Sequence, residues 1–108
     1  MHMGTRIACL VLALSLAVPA AAQSWVIVAG SRVDPEVTSC GSDDRCVRGV
    51  LEGRGRLTVE EAMRLFAVYQ RMGDSAAACR LANVIVRSPA IPTPEQLIAR
   101  QYVSLSCH

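Results

Sequence analysis

Cysteine constrains this chain more than any other residue type. Five cysteines occur in 108 residues, and Cys9 falls inside an apolar leader, leaving Cys40, Cys46, Cys79 and Cys107 for the folded part. An even number of cysteines in a short exported chain reads as two disulfides, with three possible connectivities. The spacing argues against a metal site. Zinc takes tight pairs such as C-x2-C, whereas the gaps here hold 5, 32 and 27 residues. Neither a metal nor a cofactor is expected.

The leader spans residues 1–22. Met1 to Arg6 carries positive charge and no acid, and Ile7 to Val18 is an apolar run broken only by Ser15. Pro19 and Ala20-Ala21-Ala22 then precede Gln23. This is the pattern of a Sec-type signal peptide cleaved after Ala22, and its style points to a bacterial periplasm. A retained anchor reaching through Trp25–Ala29 is the rival reading, but Pro19 and the polar pair Gln23-Ser24 interrupt it. The expected product is periplasmic or secreted, with no membrane association after cleavage.

About 86 residues then remain to fold, near the lower limit for a single core without staples. That length excludes a two-domain enzyme, a dinucleotide-binding domain and a multi-span channel. The chain is 52% hydrophobic but only 4% aromatic, so its core must be built from Ala, Val, Leu and Ile. Beyond residue 22, ten arginines face nine acids and lysine is absent. Such balance leaves no electrostatic footprint for nucleic acid or an anionic membrane.

Local patterns predict an all-α domain, a small disulfide-stapled antiparallel helical bundle with an extended N-terminal arm. Ser24 to Ala29 is β-branched and apolar, yet no second strand is visible to pair with it. It is therefore expected to lie as an arm against the helices, anchored by Trp25, or to join a partner's sheet edge. Residues 23–41 form this arm and a loop from Ser31 to Gly41, and residues 42–108 form the helical domain.

In the helical part, Ser42 is expected to cap a short helix with Asp43 and Asp44 in its first turn, ended by Gly53 and Gly55. Thr58 and Glu61 form a capping box opening a helix from Val59 to Met72, with Ala62, Leu65, Phe66, Tyr69 and Met72 as its buried stripe. Gly73 closes it, and Asp74 caps a third helix reaching Arg87, with Ala78, Leu81, Ala82 and Ile85 inward. Pro89 and Pro92 forbid continuation. Thr93-Pro94-Glu95-Gln96 reads as a second capping box, with Pro94 at the first helical position. The last helix is expected to turn Leu97, Ile98, Tyr102 and Leu105 to the core.

Alternating helices bring all four cysteines to one end of such a bundle, so any pairing is open. Cys40–Cys46 with Cys79–Cys107 is preferred, and Cys46–Cys79 with Cys40–Cys107 is the alternative.

The stretch from Ala62 to Pro89 resembles a tetratricopeptide-type helical hairpin. Leu65 and Tyr69 stand four apart, Gly73-Asp74 forms the turn, Ala78 lies on the second helix and Pro89 closes the unit. Tyr102 follows Tyr69 by 33 residues, near the family's period, so residues 59–107 resemble one repeat and the start of another. Phe66 and Ala82 exchange large and small relative to the family pattern. The resemblance implies an architecture and assigns no binding residues.

Catalytic chemistry is scarcely represented. His108 is the only histidine past the leader and is the last residue. Asp43-Asp44 and Glu60-Glu61 are the only paired acids that a two-carboxylate hydrolase would use, and both fall in first turns where the helix dipole alone favours acids. Gly53-Arg54-Gly55-Arg56 lacks the lysine and the preceding strand of a phosphate loop. With Arg45 and Arg48 nearby, Arg54 and Arg56 are candidate contacts to an acidic partner. Trp25 is the third candidate contact. The expected function is non-catalytic: a periplasmic helical module, adaptor or accessory subunit, that holds a protein or peptide. An exported inhibitor or immunity-type protein, presenting the Gly53–Arg56 loop to block an enzyme, is the alternative.

Overall fold

The structure, a computed structural model, describes residues 25–107. The expected signal peptide, residues 1–22, and His108 lie outside the described residues. In chain order the elements are β1 (Val26–Val28), α1 (Pro35–Cys40), α2 (Asp44–Glu52), β2 (Arg56–Thr58), α3 (Val59–Arg71), α4 (Ser75–Arg87) and α5 (Thr93–Ser106). The helices hold 66% of the described residues. The all-α expectation thus holds for most of the chain, and a small sheet is the departure.

That sheet corrects the reading of the N-terminal arm. β1 pairs in parallel with β2, Val26 opposite Arg56, Ile27 opposite Leu57 and Val28 opposite Thr58. Gly55 O accepts from Val26 N at 2.8 Å, and Gly30 O accepts from Val59 N at 3.1 Å. Ile27 and Leu57 are buried, while Val26 and Arg56 are exposed. A parallel pair needs a long crossover, and here α1 and α2 supply it. The partner strand has three residues and merges into the next helix cap, so alternation could not reveal it.

The loop expected from Ser31 to Gly41 contains α1. Asp34 caps it by accepting from Glu36 N at 2.8 Å, Pro35 opens it, and Val37 is fully buried. Six residues with one buried side chain are too few to show a helical period.

Most helix starts follow local signals. Asp43, one residue beyond the expected Ser42, caps α2 by accepting from Arg45 N and Cys46 N. The capping box on α3 is present: Thr58 Oγ1 accepts from Glu61 N, and Glu61 Oε1 from Thr58 N. The same carboxylate accepts from Asp34 N at 3.0 Å, tying the start of α1 to that of α3. Gly73, at φ 74°, turns the chain, and Asp74 caps α4 through Ala77 N. The second expected box does not form. Pro92 occupies the cap of α5 without a side-chain bond, and Gln96 Nε2 instead donates to Ser88 O at 2.9 Å.

The disulfides are Cys40–Cys46, joining the end of α1 to the first turns of α2, and Cys79–Cys107, joining α4 to the residue after α5. These are the preferred pairs. The chain's four aromatics make two contacts across elements. Trp25 lies 6.4 Å from Tyr69, centroid to centroid, and Phe66 stacks on Tyr102 at 4.0 Å and 10°. The first pair joins the strand segment to α3, and the second joins α3 to α5. Phe66 is buried as its stripe predicts, and Ala78 and Ala82 are buried on α4.

Candidate interaction surface

The residues expected to reach a partner are largely used inside the chain. Trp25 is 6% exposed and packs on Tyr69, so it anchors the N-terminal segment on α3 and offers a partner little surface. The Arg54 guanidinium meets Asp34 at 2.6 Å and Glu36 at 3.2 Å, clamping the turn before β2 onto the first turn of α1. Arg56 is exposed at the start of β2 and makes no ion pair among the described residues. The arginine patch therefore does not assemble as a unit.

Arg48 is also consumed internally. It pairs with Glu52 at 3.1 Å and Asp74 at 3.2 Å, and its guanidinium lies 5.4 Å from the centroid of the Tyr69 ring. The Tyr69 hydroxyl donates to Glu52 Oε2. Burial, helped by that bond to a carboxylate, raises the Tyr69 phenol well above its ordinary range, so the proton stays put at neutral pH. The group is a latch between α2, α3 and the start of α4, with no proton to trade.

The paired acids are structural too, with one exception. Asp43 caps α2, and Glu61 serves the capping box. Both oxygens of Asp44 accept from the Arg71 fork at 2.9 Å, which lowers the Asp44 carboxyl below its ordinary range. That fork closes one side of a cleft of about 500 Å³ between α2 and α3, over Val47 and Val68. Glu60 is exposed and unpaired among the described residues. No three His, Cys, Asp or Glu side chains among the described residues group as metal ligands.

The surface feature that sequence reasoning missed lies on α5. Leu97, Ile98 and Leu105, expected in the core, are 57%, 39% and 64% exposed. The buried side of α5 instead carries Ala99 and Ser106, with Tyr102 and Val103 partly buried. These four fall at i, i+3, i+4 and i+7, one helical face. Three contacts set the rotation: Ala99 is small enough for α5 to approach closely, Tyr102 stacks on Phe66, and Cys107 is bonded to Cys79. The other apolar stripe, Leu97, Ile98 and Leu105 around Gln101, then faces outward. Both stripes have helical spacing, so periodicity could not choose; the small Ala99 and the anchored Cys107 were the available signal.

No protein family, curated protein or solved structure matches this chain. The two disulfides are those of an oxidising, non-cytosolic compartment. Among the described residues, no helix is long and apolar enough to cross a membrane.

Proposed function

We propose that this protein is an exported, periplasmic helical module, an adaptor or accessory subunit without catalytic activity, that holds a protein partner on the outer face of α5. One observation carries the reading: Leu97, Ile98 and Leu105 form an uncovered apolar stripe on a helix pinned at its C-terminal end by Cys79–Cys107. Clustered exposed leucine and isoleucine on a rigid element is the usual mark of a contact surface. The tetratricopeptide-like reading of residues 59–107 is consistent with it. In that arrangement the outer stripe of α5 is the side on which an apolar helix or strand from a partner would pack.

The inhibitor reading has less support. It needs Gly53–Arg56 to protrude, whereas Arg54 is ion-paired to α1 and Arg56 belongs to β2.

The test compares wild-type protein with Leu97→Ser/Leu105→Ser in capture from periplasmic extract, followed by titration of the purified captured protein into the labelled module. A partner retained by the wild type, lost by the variant, and shifting α5 amides on titration supports the reading. Equal capture by both, or a wild-type homodimer that the substitutions convert to monomer, overturns it.

A further inference from the structure

Negative charge in this molecule is almost entirely matched from within. Of its nine acids, Asp34 and Glu36 meet Arg54, Asp44 meets Arg71, and Glu52 and Asp74 meet Arg48. Asp43 and Glu61 accept from backbone N–H groups at helix starts. Two remain without a hydrogen bond or ion pair among the described residues, Glu60 and Glu95. Both line one cavity of about 520 Å³, where the chain after β1, the first turns of α3 and the start of α5 converge. Its walls are otherwise mainly apolar, including Val59, Met63 and Pro92, and no basic residue among the described residues lines it.

Each glutamate occupies a first turn, and the helix dipole accounts for its sign. The dipole does not account for Glu95 Oε2, which is shut off from solvent with no hydrogen-bond donor. A desolvated oxygen without a donor is costly, and a ligand N–H that draws the carboxylate outward recovers that cost. Two carboxylates are too few for a hard divalent cation, which needs about six or more oxygens. Apolar walls with carboxylates suit a cation carried on a hydrocarbon stem, whose methylenes pack while its head is neutralised.

We infer that this cavity takes a lysine or arginine side chain of the protein partner. The inference rests on the interaction-module reading and gives the partner its chemistry. The cavity also continues the proposed surface, since Glu95 and Ile98 are three apart on α5 and share a side of the helix. A segment lying along Leu97 and Ile98 would thus place one basic side chain at the N-terminal end of the stripe.

The test is an NMR titration of the intact oxidised protein with the peptide acetyl-Leu-Lys-Leu-amide, and with the same peptide carrying norleucine for lysine. The expected result is saturable shifts centred on the amides of Ser31, Met63 and Glu95 for the lysine peptide. Binding should be at least about fivefold weaker for norleucine, and for the lysine peptide on E60Q or E95Q. E60Q changes an exposed side chain and keeps the comparison valid should E95Q fold poorly. Equal binding of the two peptides, or no loss in E60Q, overturns the inference. Butylammonium binding as tightly as the lysine peptide also overturns it, because the site would then serve a free amine. A captured partner that depends on Leu97 and Leu105 but not on Glu60 or Glu95 rejects the cation site alone. Lysine-peptide binding without any α5-dependent partner rejects the interaction-module reading and leaves a cation site that has lost its assigned partner.

Discussion

Phe66→Ala tests the packing that orients α5. Phe66 is buried on α3, and its ring stacks on Tyr102 of α5 at 4.0 Å. Removing it deletes the largest apolar side chain of α3 and leaves a cavity between two helices, for a cost of roughly 3–5 kcal/mol. A folded part of about 86 residues has a total stability of roughly 4–13 kcal/mol, so the loss takes from about a quarter to all of it. In urea, with m of about 1 kcal/mol per molar for so small a protein, a 3 kcal/mol loss lowers the midpoint by about 3 M. Leu97→Ala is the matched control. Its side chain is 57% exposed, and the change should cost no more than about 0.5 kcal/mol, a midpoint shift under about 0.5 M. Far-ultraviolet circular dichroism reads both melts. If Leu97→Ala proves as costly as Phe66→Ala, α5 is rotated the other way, and both the outward stripe and the function built on it are lost.

Three further outcomes are expected. Tyr69 should make stability fall above pH 10. Its folded phenol is raised above the ordinary value of 10.0, so the contribution is complete below that pH and is lost as the unfolded form ionises, at about 1.4 kcal/mol per pH unit. Denaturant melts across this range should show the fall in wild type, and a Tyr69→Phe melt series with the same slope would reject the latch. Replacing Cys79 and Cys107 by Ser should cost about 3.6 kcal/mol, and replacing Cys40 and Cys46 about 2.2 kcal/mol. The difference follows from sequence separations of 28 and 6 under the chain-entropy argument, and calorimetry of the two double variants checks the order. Intact mass of the exported protein should begin at Gln23, and a product that keeps residues 1–22 would contradict the signal reading.

How much was legible depended on the distance over which each interaction acts. Thr58 with Glu61, Gly73, and Asp74 place the ends of α3 and α4 through hydrogen bonds spanning three or four residues, so sequence alone located them. The cysteines were equally readable as two bridges, because their even number and wide spacing do not depend on the fold. The Thr93 box failed by one position because Pro92 takes the cap and Gln96 bonds Ser88 instead. Tertiary structure decided the rest. Ile27 meets Leu57 across thirty positions, and Arg54 meets Asp34 across twenty, so neither strand nor ion pair leaves a local trace. Trp25 read both as the arm's anchor on the helices and as a candidate partner contact, and only its packing on Tyr69 decided between them. On α5 the sequence offers two apolar stripes of equal helical period. Which one is buried was settled by Ala99, the Tyr102 ring on Phe66, and the Cys107 bridge, and these act only once α3, α4 and α5 are together.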